Sequence, residues 1–60
     1  MKVYIVEEFC ACEGSQVDSV HITEESAEVR KVEIINLNPY ADQYPYSVRI
    51  REYTVRGLEV

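Results

Sequence analysis

Two cysteines stand one residue apart, at Cys10 and Cys12. In an extended strand this spacing points both thiols to one face, as a soft metal or a redox pair would require. A zinc site needs about four ligands, however, and the single histidine of the chain is His21. A disulfide between residues this close in sequence would also be strained. We therefore interpret both as free thiols, expect no metal or cofactor, and keep a thiol- or metal-dependent activity as a third hypothesis.

The other residues with chemical potential lack recognisable partners. His21 has no evident acid or nucleophile beside it, and no serine stands in a nucleophile elbow. Glu7 and Glu8 are adjacent, so in a strand they point to opposite faces and do not form an acid/base pair. The glycines Gly14 and Gly57 are too far apart for a phosphate loop. These patterns predict a protein that is not an enzyme.

Tyrosine is abundant, with five in 60 residues. Tyr40, Tyr44 and Tyr46 fall in one short segment that also contains Pro39 and Pro45. Tyrosine offers a large contact area with a polar tip and is favoured at protein interfaces. We predict that the three rings bind another protein. The alternative is that the prolines pin the rings over the open end of a sheet.

The charge of the chain is −5 and is unevenly distributed. Residues 1–28 carry seven acidic side chains and one basic side chain. Such a half repels phosphate and suits a basic protein partner or the imitation of nucleic acid, although it could also be a solvated surface that keeps a small protein soluble. We predict that acidic side chains support partner binding: Glu7, Glu8 and Glu13. The second hypothesis is a nucleotide- or nucleic-acid-binding module that uses Tyr53, Arg49 and Arg51.

One helix is predicted in the middle of the chain. Thr23 is a favoured N-cap, and the glutamates that follow it suit the positive end of a helix dipole. Pro39 forces the preceding residue out of the helical region, so the helix ends near Leu37. A strand over residues 29–37 is the alternative, because this part is rich in β-branched side chains.

The helix has two apolar sides. At about 100° per residue, Ala27, Ile34 and Leu37 share one side, which we expect to face the sheet. Val29 and Val32 fall on the opposite side and have no evident cover within the chain. A single domain of 60 residues is only marginally stable alone. We therefore expect a homodimer with Val29 and Val32 in its interface.

Three strands complete the fold. Residues 2–9 are apolar on both faces, which indicates a central strand. Residues 17–22 form a second strand, joined to the first by a short link in which Gly14 supplies a positive backbone angle. Residues 46–56 form the third strand, ended by Gly57 and followed by a frayed tail. A bulge near Arg51-Glu52 would bring two pairs to the same face: Val48 with Ile50, and Tyr53 with Val55. The predicted fold is α+β, a three-stranded antiparallel sheet with one covering helix in the order ββαβ, and it forms one domain over residues 1–60.

Several segments resemble a family of small uncharacterised bacterial and phage proteins. The resemblance rests on Lys2-Val3-Tyr4-Ile5-Val6-Glu7-Glu8, on Ser19-Val20-His21-Ile22-Thr23-Glu24-Glu25-Ser26-Ala27, and on Pro45-Tyr46-Ser47-Val48 with Glu52-Tyr53-Thr54-Val55. It implies that the Thr-x-x-x-Ala segment opens a helix between two sheet segments, and that the chain is of bacterial or phage origin. Arg49-Ile50-Arg51 departs from the family pattern. No activity is carried over from the family.

These observations combine into one functional expectation. Lys2 and a short apolar stretch lead directly into Glu7 and Glu8, which is not a signal peptide, and no apolar run approaches membrane-spanning length. We expect a protein of the bacterial cytoplasm without membrane contact. It would be a non-enzymatic phage or mobile-element accessory protein that binds and modulates a host protein, with anti-defence (anti-CRISPR-like) inhibition as the most concrete form.

Overall fold

A computed structural model describes residues 1–56. The elements follow in the order β1 (Lys2–Cys10), β2 (Gly14–His21), α1 (Glu24–Leu37), a short 3-10 helix η1 (Pro39–Asp42) and β3 (Tyr46–Thr54). All three strands are antiparallel, in the order β2-β1-β3. The α+β fold class, the ββαβ order and the central position of the first strand are therefore confirmed. The predicted strand end at Gly57 and the predicted tail over residues 58–60 lie outside the described residues.

The β1–β2 connection is tight because Gly14 adopts a φ of 92°, which L side chains rarely tolerate. The backbone N–H of Glu13 donates to the carbonyl of Cys10 at 3.1 Å and closes the turn. Further along the hairpin, Val6 pairs with Ser19 but Glu7 pairs with Val17, so Asp18 is an extra residue in β2. Such a bulge breaks the alternation of β2. Val17 and Val20, three positions apart, consequently share one face of the sheet.

The predicted bulge near Arg51-Glu52 is wrong. Strand β3 pairs with β1 without interruption, from Lys2 opposite Thr54 to Cys10 opposite Tyr46. Val48 and Ile50 therefore face α1, whereas Tyr53 points to the other side of the sheet. The apolar residues of β3 change from even to odd positions because the strand has apolar side chains on both faces. Val55 lies beyond the end of the strand.

Helix α1 begins where the N-cap signal places it. Thr23 is extended, and its hydroxyl accepts a hydrogen bond from the backbone N–H of Ser26 at 3.2 Å. The strand alternative for residues 29–37 is thus excluded. Ala27 and Ile34 are buried, but the expectation for Leu37 is wrong, because 82% of this side chain is exposed. Leu37 is the last helical residue, and Asn38 beyond it is extended, so the sheet no longer lies beneath it.

The core lies between α1 and one face of the sheet. It consists of Val6, Ala27, Ile34, Ala41 and Val48, and Tyr4, Ile35 and Ile50 pack against it. The opposite face of the sheet, which we call the open face, has no covering element among residues 1–56. Its apolar side chains, inferred from the strand register, are Val3, Ile5, Phe9, Val17, Val20 and Tyr53. None of the helices in these residues is both long and apolar enough to cross a membrane.

Candidate functional site

The three clustered tyrosines lie in a segment whose backbone is held by hydrogen bonds. Asn38 caps η1 by accepting from the backbone N–H of Tyr40 at 3.2 Å. The Asp42 carboxylate accepts from the backbone N–H of Val48 at 3.1 Å, which ties η1 to the start of β3. The backbone N–H of Ala11 donates to the carbonyl of Pro45 at 2.9 Å and ties the same segment to the β1–β2 turn. The segment is therefore a structured connection.

The tyrosine side chains point away from this structured backbone. The exposed fractions are 70% for Tyr40, 92% for Tyr44 and 50% for Tyr46. Ala41, between them in sequence, is buried in the core and anchors η1. The rings are thus not sheltered by the end of the sheet, as the alternative interpretation of Pro39 and Pro45 requires.

Two of the three predicted acidic contact residues lie at the same end of the molecule as the tyrosines. Glu13 is exposed in the β1–β2 turn, which is bonded to the tyrosine segment. Glu8 is exposed and pairs with Val48, two pairs along the sheet from Cys10 and Tyr46, so it shares a sheet face with Tyr46. We call this group the tyrosine surface: Tyr40, Tyr44, Tyr46, Glu8 and Glu13.

Glu7 does not belong to this surface. It lies on the open face and is only 6% exposed. Its Oε1 atom is 3.7 Å from Nε of Arg49 and 3.6 Å from an Nη atom of Arg51, and it has no hydrogen-bond partner. The carboxylate is thus held by two ion pairs within a layer of side chains. A partner could reach Glu7 only after these side chains move.

The arginines of the second hypothesis lie on the open face. The Arg49 guanidinium stands 4.2 Å from the centre of the Phe9 ring, and the Arg51 guanidinium 5.3 Å from the centre of the Tyr53 ring. Both arrangements fit cation–π contacts. Tyr53 is 40% exposed, and Arg51 lies over one face of its ring. A nucleic-acid base could stack only on the part of the Tyr53 ring that Arg51 leaves uncovered. Binding of nucleic acid stays a prediction.

The residues predicted for the dimer interface lie on the outer side of α1. Val29 is 59% exposed and Val32 is 53% exposed, as expected from their position opposite Ala27 and Ile34. The homodimer stays a prediction.

The two cysteines are free thiols, as predicted. Cys10 ends β1 and is buried, Cys12 is exposed in the turn, and their Sγ atoms lie 2.6 Å apart. A hydrogen bond from the Cys12 thiol lowers the pKa of Cys10, and the same contact raises the pKa of Cys12. Within residues 1–56, no three histidine, cysteine or acidic side chains gather into a group that could hold a metal.

Sequence reasoning missed the partners of His21. Its Nε2 atom lies 2.7 Å from the Ser19 hydroxyl, and its Nδ1 atom lies 2.6 Å from the Ser26 hydroxyl. In the neutral ring one nitrogen donates and the other accepts, and a hydroxyl can do either. The spacing of Ser19 and His21 along a strand was a usable signal for the first contact. Ser26 comes near only because α1 starts immediately after β2.

The bulge in β2 creates another contact with α1. Asp18, the extra residue, accepts from Nε of Arg30 at 2.8 Å and from an Nη atom at 3.1 Å. This two-bond contact is the strong form of the arginine–carboxylate pair. Arg30 therefore lowers the pKa of Asp18, and the Ser19 hydroxyl contributes to the same effect.

No known family model, curated protein or solved structure matches the chain. The resemblance to small bacterial and phage proteins therefore stays a prediction.

Proposed function

We propose that this chain is a non-enzymatic interaction protein that binds and modulates another protein through the tyrosine surface. The observation that carries the proposal is the exposure of Tyr40, Tyr44 and Tyr46 on a hydrogen-bonded backbone. Rigid tyrosines supply contact area at a low cost in conformational entropy, because each ring has only two side-chain torsions. A segment that is already ordered loses little further freedom on binding.

The charge of the tyrosine surface supports a basic partner. Glu8 and Glu13 are exposed beside the rings, and the whole chain carries a charge of −5. Acidic groups at the rim of an interface accelerate the encounter with a basic surface. Proteins that bind nucleic acid present such surfaces. We therefore propose a nucleic-acid-handling protein of a bacterial host as the target, and inhibition of a host defence system by a phage or mobile-element protein as the biological role.

The proposal is tested by capturing partners from bacterial lysate with the wild-type chain and measuring the affinity of each. The Tyr44→Ala variant is expected to bind the captured partner about 10-fold or more weakly, as truncation of a central tyrosine does. Because Tyr44 is 92% exposed, the free energy of unfolding of the variant should differ from that of the wild type by less than about 0.5 kcal/mol.

Tyr53→Ala is the matched control, because it also truncates a tyrosine but does so on the open face, away from the tyrosine surface. It should leave partner affinity unchanged. Equal losses for both variants, or capture of single-stranded nucleic acid that is abolished by Tyr53→Ala alone, would contradict the proposal and favour the second hypothesis.

A further inference from the structure

Two surfaces of the molecule are apolar and uncovered within residues 1–56. On the open face, Val17 is 55% exposed and Val20 is 59% exposed. On the outer side of α1, Val29 and Val32 are similarly exposed. Exposed branched aliphatic side chains gathered on one face are typical of contact surfaces.

The open face carries a surplus of positive charge. Arg49 and Arg51 share one carboxylate, that of Glu7, which is buried between them. Side-chain exposure is 45% for Arg49 and 50% for Arg51. Both guanidiniums can therefore meet an additional carboxylate from outside without leaving Glu7.

The outer side of α1 carries the opposite charge. Glu25 and Glu28 are exposed, and at about 100° per residue they fall on the same side of the helix as Val29 and Val32. We call these four residues the outer stripe. Their spacing corresponds to one continuous stripe over two turns, acidic at its first turn and apolar at its second. The open face is likewise apolar at β2 and basic at β3.

We propose that the outer stripe of one copy docks on the open face of a second copy. Valine side chains of α1 would then cover Val17, Val20 and the neighbouring Ile5, and the helix carboxylates would approach Arg49 and Arg51. The same kind of packing, a helix over this sheet, already forms the core on the other face. A second copy thus supplies the layer that the open face lacks.

Charge also decides the symmetry of the contact. A two-fold contact uses the same patch on both copies, so a contact between open faces would gather the surplus positive charges of Arg49 and Arg51 from both copies. A two-fold contact between outer stripes would do the same with Glu25 and Glu28. Only the head-to-tail contact brings opposite charges together. Such a contact leaves one surface free at each end, so copies join into a ring or an open chain.

The test uses two variants, each with one blocked surface. Val29→Asp/Val32→Asp blocks the outer stripe, and Val17→Asp/Val20→Asp blocks the open face; all four positions are exposed, so folding is expected to survive. Sedimentation velocity from micromolar to millimolar concentration should show association of the wild type and a monomer for each variant. An equimolar mixture of the two variants should form a one-to-one dimer, because each retains the surface that the other lacks.

Other results would overturn the proposal. They are a monomeric wild type over the whole range, a mixture that stays monomeric, or a self-associating variant with either surface blocked. Glu25→Gln/Glu28→Gln provides a second route if an aspartate variant does not fold. This variant should self-associate more weakly than the wild type, and its association should no longer depend on salt concentration. Association as strong as that of the wild type would count against the head-to-tail contact.

Discussion

Asp18 shows how one residue can connect two elements. Its carboxylate accepts two hydrogen bonds from Arg30, at 2.8 and 3.1 Å, and thereby joins β2 to α1. Hydrogen bonds to charged groups contribute about 1.5–3 kcal/mol when well formed, and less when solvent screens them. Arg30 is 35% exposed at its side chain, so the contribution lies at or below the lower end of this range.

We predict that Asp18→Asn lowers the free energy of unfolding by about 1 kcal/mol at neutral pH. The pKa of Asp18 is lowered in the folded state from an ordinary value of 3.8, so the folded protein binds this proton less tightly than the unfolded chain does. The contribution is therefore present above about pH 4 and is lost as the pH falls through the lowered pKa. Urea unfolding at a series of pH values should show the two proteins converging in acid.

Glu33→Gln is the control for this prediction. Glu33 also contacts Arg30, at 3.5 Å, but is 57% exposed. Its removal should change stability by less than about 0.5 kcal/mol at any pH. A difference between wild type and Asp18→Asn that does not vary with pH would contradict the assigned role of the carboxylate.

At the scale of elements, the sequence signals worked where they were local. The Thr23 cap and the following glutamates predicted the start of α1, and the apolar character of both faces predicted that β1 is central. Other features depended on the tertiary arrangement. The burial of Glu7 required two arginines from a strand that is distant in sequence. The bulge in β2 was missed, although two apolar residues three positions apart, Val17 and Val20, are a signal for one.

The last turn of α1 gives a prediction about packing. Ile34 and Leu37 fall on the same helical side, yet Ile34 is 6% exposed and Leu37 is 82% exposed. Ile34→Ala should therefore lower the free energy of unfolding by about 2–4 kcal/mol, whereas Leu37→Ala should change it by less than about 0.5 kcal/mol. Chemical denaturation of both variants measures this directly. Comparable losses would mean that Leu37 is covered in solution.

At the scale of the whole molecule, the protein is a thin slab. Its principal extents are 42 × 24 × 11 Å, which leaves room for one apolar layer between α1 and the sheet. Among residues 1–56, Val6 is the largest side chain that is completely buried. A domain of 60 residues with so small a core is expected to be marginally stable. Contacts between copies would therefore contribute noticeably to its stability.

We predict that the melting temperature of the wild type rises with protein concentration, because association stabilises the folded state by mass action. Val29→Asp/Val32→Asp should remove this dependence. Tyr44→Ala, which alters the tyrosine surface, should retain it. Calorimetry over a wide concentration range measures all three proteins, and a concentration-independent melting temperature for the wild type would contradict the prediction.

Because of the extra residue in β2, side chains alternate between the two sheet faces in opposite phase before and after Asp18. On the N-terminal side of Asp18 odd-numbered positions point to the open face, and on its C-terminal side even-numbered positions do so. Deleting Asp18 would restore regular alternation and leave the pairing of Val17 and Ser19 with β1 unchanged, so that Val17 would stay on the open face and Gln16 on the other side. Deletion of Asp18 should therefore preserve the hairpin register and cost mainly the contact with Arg30, because the bulge serves the connection to α1 and not the placement of the valines.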